Sequence, residues 1–513
     1  MYTQRRRLVL RSPAVALLTA MALALFPAAA QSTDYDGLVT GCAGAAFFDP
    51  ASLEAAYGQT FQTAPVQTAE EGFRAAYKAI SFGKIDHLIY CLDGSEAASG
   101  YTSDIPRAAD DLEKIGQADL YMAAHGGAFT STGSTHTLDR QNDITSKLTE
   151  IKKLCAAKKI RFTLVFLPLH ASRYDSLDQS SLNAYKKALC KVADLWDFSR
   201  TDLSADARYF YSRDCARSAV LDLMLDRMTG KAVPFAHFGE KLTAKNVDAG
   251  LKNLSSFALP KASSYSKNVP ILLYHHITEN PRSRADISPA TFRAHMEALK
   301  KAGYTAVTAA DMIAYVEEGK SLPANPVWIT FDDGYASNYT LAYPILRELG
   351  LRATVFTIGS SIGKTTYKNT AYPITPHFSQ KQAEEMMASG VIEIQSHTWD
   401  MHQNESYESG AARTTATPLP GETTLQYLTA LRRDLETYEA KTGWDFYALA
   451  YPKGQYTRES ERIYHELGIK LTVSTATDRE NTLLRGLPQS LYALCRFDIP
   501  EGLSPDALLA LIG

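Results

Sequence analysis

The sequence predicts an α/β protein of two large domains: a (β/α) barrel, regular or distorted, preceded by an α/β domain with a mainly parallel sheet. Its 513 residues exceed what one hydrophobic core usually serves. Apolar, β-branched runs alternate with segments of helical periodicity through both halves. In the second half, polar residues recur directly after the predicted strands, where α/β barrels keep their functional side chains.

The composition is that of a globular protein. Charged residues make up 21% of the chain, hydrophobic residues make up 45%, and the formal net charge is −3. No long basic run occurs in the body of the chain. The charge pattern therefore gives no support for binding to nucleic acid.

The amino terminus has the pattern of an export signal. Arg5, Arg6 and Arg7 precede an uncharged apolar run over residues 14–26, and three alanines follow at 28–30. This order predicts a signal peptide over residues 1–30, of the general secretory type in preference to the twin-arginine type. The apolar run is too short for a comfortable membrane span. We therefore expect a periplasmic, cell-envelope or secreted protein, in which six cysteines can form disulfides.

Strand and helix patterns divide the rest of the chain into two domains. In the first, residues 86–92 and 161–167 are predicted strands, and residues 70–80, 143–158 and 181–193 are predicted helices. This domain is expected to span 31–253. A serine-rich stretch over 254–268 is the predicted linker, and 269–513 is the predicted second domain.

Short phrases in the first half resemble the SGNH-hydrolase-like domains of exported acyl-group enzymes. They are residues 37–43, 92–93, 167–170, 196–199 and 209–217. At the positions of that family's serine nucleophile and histidine base, this chain has Ala43 and Cys215. Alanine offers no nucleophile, so the resemblance implies an inactive accessory domain. It also suggests a disulfide between Cys42 and Cys215, with two buried unpaired cysteines as the alternative.

A predicted buried strand over residues 326–331 ends in Asp332, Asp333 and Gly334. Neighbouring residues on a strand point to opposite faces, so the two acids need not share a role. Paired acids are costly to bury unless a cation or a shared proton compensates them. The alternative is an ordinary Asp-Gly turn.

Two other predicted strands end in polar residues. One leads into His397 and His402, and another leads into residues 451–456. Histidines five apart lie about 140° apart on an ideal helix, so these two converge only from a strand end and loop. Two histidines and one carboxylate with open positions suit a catalytic divalent metal, zinc first. Such an ion polarises a carbonyl and lowers the pKa of water to roughly 7, which predicts ester or amide hydrolysis.

Together, three ordered motifs resemble those of the polysaccharide deacetylases, the NodB-homology group or carbohydrate esterase family four. They are residues 330–334, 396–402 and 450–456. The resemblance covers about residues 269–500 and implies a distorted barrel with metal-dependent deacetylation of carbohydrate polymers. By position, Asp333, His397 and His402 would bind the metal, and Asp332 would be the general base.

The opening of this half, residues 269–276, resembles an exported, permuted branch that acts on β-1,6-linked N-acetylglucosamine polymers. In that branch a Leu-x-His motif comes first, so His275 would be the general acid that protonates the leaving amine. His276 is then its neighbour, although a swap of the two stays open. After His402 the remaining histidine is His465, in a predicted helix.

Contacts to substrate and oxyanion are predicted for five residues, with ordinary packing as the alternative for each aromatic one. They are Tyr451, Pro452, Gly454, Tyr456 and Trp399. The chain departs from the family at Lys453, where many members have tyrosine. It also lacks the arginine that in many members precedes this turn and orients the base. Arg496 is the candidate replacement, with a surface ion pair as the alternative.

The predicted function is metal-dependent deacetylation of an N-acetylglucosamine polymer, with exopolysaccharide favoured over peptidoglycan because of the permuted opening. Partners in synthesis or export machinery are not identified by the sequence. A glycan-binding scaffold without turnover is one alternative, against which the intact acid pair argues. A bifunctional enzyme with an active amino-terminal esterase is another, against which Ala43 argues.

Overall fold

The computed structural model describes residues 35–41, 48–64, 66, 68–93, 112–131, 133–138, 140–403, 408, 412–476 and 480–513. The predicted signal peptide lies outside these residues, as do Cys42 and Ala43, so the proposed disulfide and the nucleophile position stay predictions. Within the described ranges, no helix is both long enough and apolar enough to span a membrane.

The first half alternates strands and helices as predicted. Its strands are β1 Gly37–Gly41, β2 Phe61–Thr63, β3 His87–Leu92, β4 Arg161–Phe166, β5 Leu195–Asp197, β6 Phe210–Ser212, β7 Cys215–Ala216 and β8 Glu240–Leu242. Its helices are α1 Pro50–Tyr57, α2 Ala69–Phe82, α3 Leu112–Ile115, α4 Ala118–His125, α5 Gln141–Ala157, α6 Ala171–Tyr174, α7 Gln179–Val192, α8 Ser218–Met228 and α9 Val247–Ser256.

Six of these described strands form one sheet, in the order β2-β1-β3-β4-β5-β8. Every pairing is parallel except that of β5 with β8. Buried side chains pack on both faces of the sheet, in two separate clusters. The central strand β3 is buried along its whole length, as expected where helices cover both faces. The prediction of a mainly parallel sheet is confirmed.

An ion pair is buried in this domain, between Lys186 of α7 and Asp197 at the end of β5. The Lys186 Nζ lies 2.7 Å from the Asp197 Oδ2, and neither side chain is exposed to solvent. Lys186 also donates to the Ser199 Oγ at 2.6 Å. Each charge therefore depends on the other for compensation in an interior that solvates neither.

We expect Lys186→Met to lower the free energy of unfolding by about 3–5 kcal/mol, because the Asp197 carboxylate would be left buried without its countercharge. Denaturant unfolding followed by circular dichroism measures the loss. The matched control, Lys186→Met with Asp197→Asn, removes both charges and should recover much of the stability. A single variant as stable as the wild type would contradict the prediction.

The second half has its own strands and helices. Its strands are β9 Ser266–Asn268, β10 Ile271–Tyr274, β11 His276–Ile277, β12 Asp286–Ile287, β13 Thr305–Val307, β14 Pro326–Phe331, β15 Ala353–Thr357, β16 Ile392–Ser396, β17 Ala448–Ala450, β18 Leu471–Val473, β19 Thr482–Leu484 and β20 Phe497–Asp498. Its helices are α10 Pro289–Lys301, α11 Ala309–Glu318, α12 Tyr343–Leu349, α13 Gln380–Ala388, α14 Thr424–Thr442, α15 Arg458–Glu466 and α16 Pro505–Ile512.

The main sheet of this half is parallel throughout, in the order β18-β17-β16-β15-β14-β10-β20, with β13 added beside β14. The segment 494–498 links its two ends. Leu494 forms a parallel bridge to Val473 of β18, and Phe497 and Asp498 pair with β10. The sheet is thereby joined into a ring, which confirms the predicted distorted (β/α) barrel.

Strand β14 shows how the pleat directs side chains to the two sides of this barrel. Val327 and Ile329 belong to one buried cluster, whereas Trp328 belongs to the other, with residues of β17 and β18. Alternate residues of a strand point to opposite faces. Asp332 follows Trp328 at an even spacing and so continues the inner face.

The predicted linker has a structure of its own. Helix α9 extends to Ser256, a 3₁₀ turn covers Ala262–Tyr265, and β9 pairs antiparallel with β19 of the second half. The Tyr209 hydroxyl donates to the Arg485 carbonyl at 2.6 Å, which joins the two halves. We propose that the second domain begins before β9 and not at residue 269.

Candidate metal and catalytic site

The candidate site lies at the carboxyl ends of the barrel strands. Asp332 and Asp333 follow β14, His397 follows β16, and His275 follows β10. Arg496 comes from the segment that closes the barrel. The carboxyl ends of parallel strands meet at one edge, so residues far apart in the sequence converge there.

Asp333, His397 and His402 form a compact group that could hold a metal ion. One ligand atom from each lies within 4.8 Å of the other two. The Asp333 Oδ1 is 3.6 Å from the His397 Nε2 and 3.8 Å from the His402 Nε2. The His397 Nδ1 lies 2.8 Å from the Ala450 carbonyl, a pairing that assigns it the proton and leaves Nε2 free for a cation.

The electrostatic environment of Asp333 fits a cation. Its Oδ1 is buried and makes no hydrogen bond to a described residue. Burial alone raises the pKa of Asp333, but His402, His275 and His397 act against it and the net pKa is lowered. A buried ionised oxygen with no hydrogen bond is costly unless a positive charge compensates it. The donor set therefore suits a divalent ion.

Backbone conformations of positive φ occur at all three motifs. The φ angles are 71° at Asp333, 70° at Thr398 and 57° at Lys453. Thr398 is the least expected of them, because a β-branched residue rarely adopts this conformation. Such conformations persist only where the surrounding structure fixes them, and they cluster at functional sites. Here they turn the chain sharply after β14, β16 and β17.

Asp434 of α14 holds the loop between the two histidines. Its carboxylate accepts hydrogen bonds from the backbone N–H of Trp399 at 2.7 Å and of Asp400 at 2.8 Å. The Thr398 Oγ1 accepts from the Met401 N–H at 3.1 Å. Burial raises the pKa of Asp434 to about 7, and the two N–H donors act against this rise. These contacts fix the turn that brings His402 towards His397.

Asp332 is paired with Arg496 and faces away from solvent. The Arg496 Nη1 donates to Oδ1 at 2.6 Å and Nη2 donates to Oδ2 at 2.7 Å, while Nε donates to the Ser474 carbonyl at 2.8 Å. Both side chains are almost fully buried. Burial raises the pKa of Asp332, yet Arg496 and His397 outweigh it and hold the pKa at about 2. The alternative of a surface ion pair for Arg496 is therefore wrong.

His275 lies near both carboxylates, and its charge lowers the pKa of each. The Asn338 side chain donates to the His275 carbonyl at 2.8 Å, which fixes the backbone there. His276 makes different contacts. Its Nδ1 lies 2.8 Å from the Ser337 Oγ, and its ring packs on Tyr335 at 5.2 Å. His276 is thus placed as a neighbour of the site.

Some of the predicted substrate-contact residues are buried and others are partly exposed. Tyr451 is completely buried and its hydroxyl donates to Glu461 of α15, so the prediction that its ring contacts substrate is wrong. The buried Glu461 carboxylate holds this hydroxyl behind the turn. Pro452 is buried as well. Tyr456 is partly exposed and stacks on Tyr451 at 5.0 Å between centroids.

Gly454 and Trp399 mark close approaches in the same region. Gly454 has φ 67°, and a Cβ there would lie 2.2 Å from the Thr475 Oγ1. Trp399 is partly exposed and packs edge-on against Tyr438 at 5.6 Å. Its ring also covers Gly359, where a Cβ would lie 2.4 Å away. The backbone of the turn and the exposed edges of Trp399 and Tyr456 stay candidates for substrate contact.

Three residues beside the site have no recognisable sequence signal. Asp434 lies in an ordinary amphipathic helix, and His377 and Lys368 lie in the loop between β15 and α13. Lys368 binds Asp400 at 2.9 Å and Glu408 at 2.5 Å. Periodicity and motif spacing do not identify such residues, because their role depends on which loop folds against which strand end.

Comparison with known proteins agrees with this geometry. The polysaccharide deacetylase family profile matches residues 319–472. YxkH of Bacillus subtilis, whose name places it among the polysaccharide deacetylases, is 30% identical over 247 residues, which covers 48% of this chain and 76% of YxkH. The chain belongs to the polysaccharide deacetylase family. This confirms the predicted resemblance of the second half and the prediction of a carbohydrate-deacetylase enzyme.

Other proteins named as deacetylases are also similar to this chain. The poly-beta-1,6-N-acetyl-D-glucosamine N-deacetylase of Staphylococcus epidermidis is 29% identical over 182 residues, 35% of this chain and 60% of that protein. Among solved structures, a de-N-acetylase from Aggregatibacter actinomycetemcomitans has 22% identity and a TM-score of 0.41, covering 48% of this chain and all of that one. The SGNH-like interpretation of the first half stays a prediction.

We expect Asp434→Ala to weaken divalent-metal affinity by about 10- to 100-fold, the usual loss when a group that orients metal ligands is removed. The loop between the two histidines would lose both of its carboxylate acceptors. Competition titration of the metal-free protein with Zn²⁺ measures the dissociation constant.

Asp434→Asn is the matched control, because its amide oxygen keeps one acceptor and should cost less affinity. Circular dichroism verifies that both variants are folded. An unchanged dissociation constant in Asp434→Ala would show that the loop holds its shape without this carboxylate.

Proposed function

We propose that this protein removes N-acetyl groups from an exported polymer of N-acetylglucosamine by metal-dependent hydrolysis. The observation that carries the proposal is the position of Asp332. It is an ionised carboxylate held by Arg496, directly beside a group of three side chains that could hold a metal ion. This arrangement combines a proton acceptor and a cation site at one strand end, which amide hydrolysis requires and binding alone does not.

Asp333, His397 and His402 would hold the ion. Two imidazole nitrogens and one carboxylate oxygen, with open positions, are the donor set of catalytic zinc, so we take Zn²⁺ as the first candidate. When bound, such an ion supplies Lewis acidity and lowers the pKa of water to roughly 7. The hydrogen bond between His397 and Ala450 would keep the ligand ring oriented as the ion binds or leaves.

Asp332 would act as the general base. Its pKa of about 2 keeps it ionised at any physiological pH. Arg496 engages both carboxylate oxygens, so the side chain cannot rotate, and each oxygen keeps a further lone pair. The Asp332 Oδ2 is 3.9 Å from the His397 Nε2, so a proton delivered to Asp332 would come from a group beside the metal ligands.

His275 would be the general acid that protonates the leaving amine. It reaches the site from the end of β10, whereas the metal histidines follow β16. Two strands separate these positions around the barrel, since β14 and β15 lie between β10 and β16. A base and an acid from different strand ends can act on opposite sides of one acetamide group. The backbone of the turn 451–456 and the exposed edges of Trp399 and Tyr456 would contact the sugar and the oxyanion.

The polymer is inferred from two further features. The S. epidermidis relative is named for poly-β-1,6-N-acetyl-D-glucosamine, and the opening of the second half resembles the permuted branch with that substrate. The predicted signal peptide would export the enzyme to the compartment where such a polymer is made or modified. We therefore favour an exopolysaccharide over peptidoglycan, and partners in the machinery that synthesises or exports it.

We expect the Zn²⁺-loaded protein to release acetate from β-1,6-linked N-acetylglucosamine oligomers, and a chelator to abolish the release until metal is restored. Acetate is measured by an enzyme-coupled assay and free amines by labelling. Asp332→Asn should lower kcat by roughly 10²- to 10⁴-fold, because the amide keeps the shape of the carboxylate but accepts no proton.

Peptidoglycan fragments and β-1,4-linked oligomers are the comparison substrates. Metal uptake and glycan binding without acetate release from any acetylated glycan would refute the enzyme and support the scaffold alternative. Acetate release that persists in metal-free protein would refute the metal dependence but not the deacetylation.

The pairing with Arg496 also predicts the pH dependence of the reaction. The base must be ionised, so activity falls as the pH drops through the pKa of Asp332. Arg496→Met would leave burial as the dominant influence and raise this pKa, so the acidic limb of kcat/KM should move to higher pH by about 1–3 units. Arg496→Lys keeps the charge and should move it less. An acidic limb at the same pH in Arg496→Met would mean that another group is the base.

A further inference from the structure

The loop between β15 and α13, residues 358–379, brings His377 to the candidate site. Its backbone adds to the chain that follows Asp333. The Ala336 N–H donates to the Pro376 carbonyl at 2.7 Å, and the Phe378 N–H donates to the Gly334 carbonyl at 3.2 Å. Tyr335 and His377 are bridge partners between these two segments. Main-chain hydrogen bonds therefore fix His377 beside Tyr335, which lies two residues after Asp333 in the sequence.

The His377 side chain lies close enough to Asp333 and His402 for their charges to act on its pKa. Its ring packs on Tyr335 at 5.1 Å between centroids, and the other neighbour of Tyr335 is His276 at 5.2 Å. Burial lowers the pKa of His377, Asp333 acts against this, and His402 and His276 lower the pKa further. Among the described residues, the group within metal-ligand distance contains Asp333, His397 and His402 but not His377. His377 thus borders the site without belonging to the ligand set.

Both ring nitrogens of His377 are buried; the Thr375 backbone engages one of them, which leaves the other without a hydrogen bond to a described residue. A neutral imidazole has one donor and one acceptor. Leaving a buried ring nitrogen unsatisfied costs free energy, and a partner that enters the site would recover it. A Thr375 carbonyl that accepts from the ring N–H leaves the other nitrogen as an acceptor, which a sugar hydroxyl can satisfy by donating and a carbonyl cannot.

The loop that carries His377 is held rigidly on its other side. The Lys368 ammonium binds Asp400, in the turn between the metal histidines, at 2.9 Å, and binds Glu408 at 2.5 Å. The Tyr367 hydroxyl donates to the same Glu408 oxygen at 2.6 Å. Rigid positioning of a polar group before the ligand arrives reduces the entropy lost on binding. These contacts therefore hold the loop that carries His377 in place before a ligand binds.

We propose that His377 is a substrate-binding residue that hydrogen-bonds a ring hydroxyl of the acetylated sugar and so selects sugars that carry this hydroxyl next to the acetamide. The inference rests on the proposed deacetylation of a polysaccharide. The charged groups that act on His377 are Asp333, His402 and His276, on the side of the candidate metal ligands. His275, in contrast, acts on both Asp332 and Asp333. His377 therefore contacts substrate beside the reacting acetyl group, and His275 keeps the role of acid.

We expect His377→Ala to raise KM for N-acetylglucosamine oligomers by about tenfold or more, since each tenfold in affinity corresponds to one well-made hydrogen bond to a buried partner. The kcat and the Zn²⁺ dissociation constant should change by less than about threefold. Lys364→Ala, an exposed side chain in the same loop, is the matched control and should leave all three unchanged.

Monodeoxy analogues of the acetylated sugar identify the hydroxyl. For the analogue that lacks the hydroxyl bound by His377, wild type and His377→Ala should have equal KM values, whereas the other analogues should keep the tenfold difference. A KM unchanged by His377→Ala would overturn the inference. So would a fall in kcat together with weakened Zn²⁺ binding, which indicates a structural role, or the loss of one limb of the pH profile, which indicates the general acid.

Failure of the proposed function is distinguishable from failure of this inference. If the wild type releases no acetate from any oligomer, the proposed function fails, and oligomer dissociation constants measured by calorimetry then test His377 alone. About tenfold weaker binding by His377→Ala would support the contact, and equal binding would overturn it. If the wild type is active and His377→Ala matches it in KM, only the inference about His377 fails.

Discussion

Two adjacent carboxylates buried at the end of one strand must both be compensated, and the site is arranged around this electrostatic requirement. Asp332 continues the inner face of the barrel, where solvent does not reach, and its charge is met by the Arg496 guanidinium. Asp333 turns the other way through a left-handed backbone conformation, and its buried Oδ1 faces two imidazole nitrogens. Like charges this close disfavour each other, so neither position is stable without its own partner.

Each partner comes from a different strand end, which makes the site a property of the closed barrel. Arg496 lies in the segment that joins β18 to β10, so it reaches Asp332 only when the ring of strands is complete. His397 is oriented by the Ala450 carbonyl at the end of the next strand, and the loop that follows it is held by Asp434 of α14. Positive φ angles at Asp333 and Thr398 are maintained by these contacts.

Much of this site could be predicted from the sequence, because its motif residues directly follow recognisable strands. Asp332-Asp333-Gly334 follows a β-branched run, and His397 and His402 follow another, so strand periodicity alone places them at one edge. Arg496 could only be suggested as the residue that orients Asp332. The two residues are 164 positions apart, and their pairing depends on how the barrel closes. The predicted contact of the Tyr451 ring with substrate is wrong. Nothing beside Tyr451 in the sequence shows that its hydroxyl donates to Glu461 of α15.

The fold was predictable for a similar reason, and its details were not. Alternating strands and helices require a mainly parallel sheet in each half, but the structure of residues 254–268 follows from a pairing of β9 with β19, more than 200 residues later in the chain. Serine-rich composition predicts a linker there. Composition carries no information about pairing partners that are distant in the sequence. The same holds for Asp434, Lys368 and His377, since each contacts a segment that is distant in the sequence.

The positive charge that compensates Asp332 is permanent, whereas the one proposed for Asp333 is exchangeable, and this difference suits the proposed chemistry. A guanidinium is always charged, so Asp332 is ionised and fixed whether or not a metal is bound. A cation proposed at Asp333 would be able to bind and leave, because its ligands are side chains that remain when it is absent. On the proposed mechanism, the base would be in place before an ion binds, while the candidate ion site stays accessible, with His402 partly exposed at the rim. One acid would then serve the proton and the other the metal, because each would be stabilised by a different kind of positive charge.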